Sequence, residues 1–153
     1  RRMKLAQRED ALIQGVDLME WTFDPLELKN AAFNIEKLGA VVQRFVFNQY
    51  GTTSSALHGG LPTDRCIAEW YLKSPRVEAA VHRTECQRPE ITARIFVPAN
   101  IAEIKQNDPA LARQIQATVS QQFDTHFSNG LAVVGFEMNQ EFGIYLLASW
   151  PSN

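Results

Sequence analysis

Apolar positions along the chain follow two periods, one extended and one helical. At 17–23, Leu18, Met19, Trp21 and Phe23 put apolar side chains on both faces of an extended segment, which predicts a strand covered on both sides and central in a sheet. Asp24 then occupies a helix N-cap position, with Pro25 at the first helical position and Glu27 three residues after the cap. A helix is expected to start there and to bury Leu28, Ala31, Ile35 and Leu38. Lys37 lies in its last turn, and Gly39 can take the left-handed conformation that ends a helix.

The flanking pattern predicts further elements. Residues 1–14 carry Leu5, Leu12, Ile13 and Val16 at helical spacing around Arg8, Glu9 and Asp10, closed by Gly15. Residues 40–49 and 65–72 read as strands, separated by a long irregular segment at 50–64 that contains one histidine. Lys73-Ser74-Pro75 breaks the pattern, and the polar stretch that follows reads as a linker. Beyond it come a strand at 91–97, a helical turn at 101–106 and a helix start at Asn107-Asp108-Pro109. Leu111, Ile115, Val119, Phe123 and Phe127 form an i, i+4 stripe, and a hairpin at 131–137 and 142–148 closes the chain. The expected class is α/β (α+β), a mixed, mostly antiparallel sheet flanked by helices. The expected division is 1–74, a linker at 75–89, and an α/β extension at 90–153.

Composition narrows the functions. At 153 residues, 45% hydrophobic and 21% charged, the chain can bury a sizeable core. A net charge of -2 supplies no strong bulk field for nucleic acid, which is not expected as a partner, and leaves only a local basic patch open. No run approaches the roughly 18 apolar residues of a membrane span, so a cytoplasmic protein without a membrane partner is expected. Cys66 and Cys86 have neither Cys-x-x-Cys nor zinc spacing, which points to buried or inert thiols and no metal. The motifs Gly-x-Ser-x-Gly, Gly-x-x-x-x-Gly-Lys and His-Glu-x-x-His do not occur.

The stretch Trp21-Thr22-Phe23-Asp24-Pro25-Leu26, followed by Asn30-Ala31-Ala32-Phe33-Asn34 and Glu36-Lys37-Leu38-Gly39, resembles the last motif of the GNAT superfamily of acyl-CoA-dependent N-acyltransferases. The wording is similar to one little-characterised bacterial branch, and the likeness extends along the chain. It implies the C-terminal half of a GNAT-like fold plus a strand-helix-hairpin extension. It also implies acyl-CoA as co-substrate, a small amine or amino acid as acceptor, and a chain truncated at its N-terminus, since the Gly-rich pyrophosphate loop and the upstream central strand are missing. A non-catalytic acyl-CoA-binding or interaction module with a degenerate fold is the alternative.

The resemblance also assigns residues. Arg1 and Arg2 fall in the first turn of a helix that meets the cofactor's phosphates. Aligned on Glu36-Lys37-Leu38-Gly39, Leu28 stands where relatives have a pantetheine-contacting Asn, and Ile35 where many have the Tyr that protonates the thiolate. Aligned instead on Asn30, the cofactor contacts become Asn30, Phe33 and Asn34. The 50–64 connection corresponds to one that folds over the acceptor, so His58 and Asp64 are the candidate bases, and Trp21, Tyr50 and Arg65 the candidate substrate contacts. His58 has the intrinsic pKa suited to a base near neutrality. His82, His126, Glu20 and Asp24 are weaker candidates, Asp24 having a capping role already.

Overall fold

A computed structural model of the chain describes residues 1–48 and 61–151. Its elements, in order, are α1 (Arg2–Ile13), β1 (Leu18–Phe23), α2 (Leu28–Ala32, continued by a π-helical turn at Phe33–Lys37), β2 (Val41–Val46), β3 (Arg65–Tyr71), α3 (Pro75–His82), β4 (Ala93–Pro98), α4 (Ile101–Asn107), α5 (Pro109–Ser128), β5 (Leu131–Met138) and β6 (Phe142–Ser149). The fold is α+β: among the described residues, five helices accompany an open six-stranded sheet of order β1-β3-β2-β5-β6-β4. Every strand pair is antiparallel, so the expected mixed sheet is corrected to an all-antiparallel one.

Val42 of β2 lies opposite Val133 of β5, which makes one sheet of strands drawn from both sides of the 75–89 stretch. β1 is not central, as its apolar faces suggested. Its ladder runs with β3 alone among the described residues, and only Phe23 of its six residues is buried.

The turn into α2 is tighter than the capping pattern predicted. Asp24 Oδ1 accepts from the amide of Leu26 at 2.9 Å, closing an Asx turn, and the helix starts only at Leu28. Leu28, Ala31, Ile35 and Leu38 are buried as expected. The far end widens into a π-helical turn, in which Leu38 donates to the Phe33 carbonyl at 3.0 Å. Gly39 follows at φ 80°, where an added Cβ would lie 3.1 Å from the Arg76 carbonyl oxygen. The carbonyls left over at this end find side-chain donors: Arg76 reaches Gly39 at 3.0 Å and Ile35 at 3.1 Å, and Trp70 Nε1 reaches Leu38 at 2.7 Å.

Two further expectations need correction. Ile13 at the end of α1 and Val16 just beyond it are exposed, whereas Arg8 is buried, with Nε and Nη2 donating to the Leu72 carbonyl at 3.1 and 2.9 Å and Nη2 meeting Glu78 at 2.5 Å. A buried polar anchor outweighs the apolar stripe in setting which way the helix turns. The stretch read as a linker opens with helix α3, because Ser74 caps it, accepting from Val77 at 3.2 Å, and Pro75 sits at N1 rather than acting as a breaker.

The C-terminal elements follow their pattern. Asp108 caps α5 by accepting from Leu111 at 3.2 Å. Val119 and Phe123 are buried, although Leu111 at the head of the stripe is 40% exposed. Phe123 lies 5.3 Å from Phe45 and 5.0 Å from Tyr145, ring centre to ring centre. Tyr145 donates to the Pro25 carbonyl at 2.6 Å, locking β6 to the turn after β1.

Candidate functional site

At the C-terminal end of β1, three separated parts of the chain converge. The Asx turn brings Asp24 and Glu27, the segment entering β3 brings Thr63 and Arg65, and α4 and α5 bring Lys105 and Gln116. They line a cleft of about 150 Å³. Lys105 Nζ lies 3.6 Å from Asp24 Oδ2 and 3.9 Å from Glu27 Oε1. Gln116 donates to the Pro62 carbonyl at 2.8 Å, while its buried Oε1 has no hydrogen-bond partner among the described residues. Cleft walls of this kind, with acceptors and both signs of charge at short range, suit a small polar ligand.

Asp64 stands beside this cleft. It is buried, and both its carboxylate oxygens accept: Oδ1 from the Asn48 amide at 2.7 Å and Oδ2 from Ser120 Oγ at 2.6 Å. That pair of bonds ties the end of β2 to α5. Arg65 Nη1 donates to the Asp64 carbonyl at 2.8 Å. His58 and Tyr50 lie outside the described residues.

The other candidates are spread over the molecule. On α2, Asn30 is exposed, Phe33 half-buried and Asn34 buried. Arg1 donates to the carbonyls of Ala80 and Val81 at 3.2 and 3.1 Å, in the last turn of α3, while Arg2 is exposed. Trp21 meets Trp70 edge to face at 5.8 Å and carries Lys4 Nζ 3.8 Å above its ring. Burial lowers the pKa of that lysine. Burial first, and then the charge of Asp24, push the Cys66 thiol well above its ordinary value, so it is a poor nucleophile; Cys86 is exposed, and both thiols are free.

Two groups of residues had no place in the sequence-based expectations. One brings Lys105 and Gln116, neither singled out before, to Asp24 and Glu27, which were expected as a helix cap. The other surrounds Glu69, whose carboxylate is 2% exposed and accepts from Gln43 Nε2 at 2.6 Å, Tyr71 Oη at 2.6 Å and Arg44 Nε at 2.8 Å. Arg44 also pairs with Glu20. A glutamate within the otherwise apolar run Cys66-Ile67-Ala68-Glu69-Trp70 was the visible signal for this network. Tyr71 is pushed up to about 12 by burial, followed by its hydrogen bond to Glu69 and that residue's negative charge. Tyr71 and Gln43 also line a larger cleft of about 440 Å³ with Val41, Arg76 and Trp150.

Among the described residues no group of three or more His, Cys, Asp or Glu side chains is placed to hold a metal ion, and no helix is long and apolar enough to cross a membrane. The class defined so far is an α+β protein with an open antiparallel sheet. No family model, curated protein or solved structure matches the chain.

Proposed function

We propose that this chain takes part in acyl-CoA-dependent N-acyl transfer of the GNAT type, in the cytoplasm, moving an acyl group from acyl-CoA to the amine of a small molecule or amino acid. The observation that carries this is the placement of β1. Its edge away from β3 pairs with no strand among the described residues, and it leads directly into the helix that ends on Glu36-Lys37-Leu38-Gly39. An enzyme of the type that the motif resembles holds pantetheine between two splayed central strands. The β1 edge, unpaired among the described residues, offers one wall of such a slot; in enzymes of that type the facing strand carries the oxyanion-donating amide.

In this reading Asn30, Phe33 and Asn34 face the cofactor, with Arg1 and Arg2 toward its phosphates. The amine attacks the thioester carbonyl, the carbon–nitrogen bond forms, the carbon–sulfur bond breaks, and the amine's proton passes to His58 or Asp64. No tyrosine acid is assigned. One fact favours a second reading, a non-catalytic acyl-CoA-binding module: in the Glu36-Lys37-Leu38-Gly39 register the acid's position is Ile35, which is fully buried.

Hydrogen–deuterium exchange of the protein from the whole reading frame, with and without acetyl-CoA, tests both. Protection of the unpaired β1 edge and of α2 is expected on binding, and amine-dependent release of free thiol then separates enzyme from module. Absence of acetyl-CoA-dependent protection at β1 and α2 would overturn both readings.

A further inference from the structure

Val41 and Val42 are neighbours in β2 and so point to opposite faces of the sheet. Val42 belongs to the larger apolar core; Val41 belongs to a smaller one, where Val134 and Ala148 are also buried and Tyr71 and Trp150 pack against them. Beside this smaller core the surface is hollowed into two clefts of about 440 and 410 Å³. They share Gly39, Ser74, Arg76 and Trp150 as walls, so they meet along one seam. Each exceeds the roughly 300 Å³ at which sites for small organic ligands begin. No residue of β1 contributes to either.

Arg76 is the charged group at the seam. Its Nε donates to the Gly39 carbonyl at 3.0 Å and its Nη2 to the Ile35 carbonyl at 3.1 Å. Gly39 walls both clefts and Ile35 the smaller one, so the guanidinium head, and not only its stem, lies at the seam. The two carbonyls occupy one edge of the fork. The end edge, Nη1 with the second hydrogen of Nη2, has no acceptor among the described residues, and Arg76 forms no ion pair there. Burial lowers the pKa of the group, while the charges of Glu36 and Arg88 act on it in opposite directions. Among the described residues Glu36 is the one acid on the walls of the smaller cleft, and the larger cleft has none. Glu36 is already engaged, with Arg88 Nη2 at 3.0 and 3.2 Å from its two oxygens and the Phe136 amide donating at 3.1 Å. Glu69, bonded to Gln43 and Tyr71 of the larger cleft, is 2% exposed and has its own counterion in Arg44. One positive charge at the seam is left over.

We propose that this seam binds a small aromatic carboxylate, its carboxylate held end-on by Arg76 and its ring laid against Trp150 and Tyr71 in the larger cleft. Two parallel N–H groups on a planar fork match the two oxygens of a carboxylate. A single uncompensated charge suits a monoanion better than a phosphate dianion. Ring-on-ring contact adds to the apolar area that Val41, Trp150 and Pro151 remove from water. The carbonyls of Gly39 and Ile35 fix the guanidinium in advance, so binding costs little further side-chain ordering. None of this rests on the proposed acyl transfer.

The test is an NMR titration of the full chain, resolved at backbone amides and indole N–H groups and run without any acyl donor, using phenylacetate and indole-3-acetate. Their primary amides keep the shape without the charge, and acetate keeps the charge without the ring. Saturable shifts at residues 39–43, 71–76 and the Trp150 indole are expected with at least one aromatic acid, at an affinity about tenfold or more above that of its amide and of acetate. Arg76→Met should abolish the preference of acid over amide, a ratio that a loss of stability alone does not move. If Arg76→Met does not fold, Trp150→Leu should weaken acid and amide by the same factor and keep the preference. No saturable shift with either acid, an amide bound as tightly as its acid, shifts away from the seam, a preference that survives Arg76→Met, or unchanged affinity in Trp150→Leu would overturn the proposal. Binding here without acetyl-CoA-dependent protection of β1 and α2 would leave this site standing and remove the acyltransferase; protection there without binding here would remove this site alone.

Discussion

The larger of two apolar cores is closed on its two sides by different kinds of contact. Over β2, β4 and β5, α5 lays down aromatic rings, with Phe123 stacked on Phe45 and set against Phe127 and Tyr145. Beside β1 and β3, the joints are made by guanidinium groups: Arg8 holds the end of β3, Arg76 holds the end of α2, and Arg1 holds the end of α3. The first kind of contact draws on area removed from water and dispersion, which any apolar side chain of similar shape supplies in part. The second depends on individual donors meeting carbonyls that would otherwise be unpaired.

The comparison predicts an order of damage. Phe123→Ala, which removes a fully buried ring from the aromatic side, should cost about 3–5 kcal/mol in chemical denaturation, the range for truncating a core phenylalanine. A loss below about 1 kcal/mol would mean that the rings of Phe45 and Tyr145 collapse into the space and that this side is more plastic than its packing suggests.

Arg8→Met sharpens the other side, because methionine keeps the stem's packing and removes only the guanidinium. It should cost about 1–3 kcal/mol, the penalty for stranding a buried acceptor, here the Leu72 carbonyl. Glu78 is not stranded with it, since that side chain is 45% exposed and lies 3.1 Å from His82 Nε2. A cost equal to that of Phe123→Ala would break the comparison. Ser74→Ala, which removes the α3 cap, should cost about 1 kcal/mol, and Ser74→Asp should restore most of it.

The same contrast explains what was legible in the sequence. The apolar period of α5 is bounded by Asp108-Pro109 and Asn129-Gly130, so its extent and the aromatic part of its inner face could be read directly. The face of α1 could not, because Arg8 counts as polar by type while its position in the fold is interior. α3 was hidden by Pro75, which interrupts a helix anywhere except the first turn. β1 looked central because its side chains are apolar on both faces, but strand pairing is decided by neighbours that residue type does not name.

Of the cleft beyond β1, Asp24, Glu27 and Arg65 were singled out in advance, the first two as a helix cap and Arg65 as a substrate contact. Its walls come from parts of the chain that only folding brings together. A weak local signal did exist. Ala112, Gln116 and Ser120 form an i, i+4 row of small and polar residues beside the aromatic stripe, and all three are buried. Such a row marks a helix side that faces something polar, here the Pro62 carbonyl and the Asp64 carboxylate.

The smallest expected effect concerns Tyr71, on the guanidinium side of the sheet. Its phenol is raised from 10.0 to about 12, with burial the largest cause and the hydrogen bond to Glu69 the next. Between these two values the folded chain keeps a proton that the unfolded chain has lost, so folding stability from this group is present below pH 10 and falls as pH rises toward about 12. Tyr71→Phe should flatten that part of the alkaline stability curve and remove one late-titrating phenol from the ultraviolet spectrum. Tyr145, also raised by burial, should remain as a late phenol in the variant and serves as the internal control. If the phenol lost from the spectrum titrates near its ordinary value, the Tyr71–Glu69 bond does not hold in solution. Glu69 would then rely on Gln43 and Arg44 alone, and Glu69→Gln should become the milder of the two substitutions.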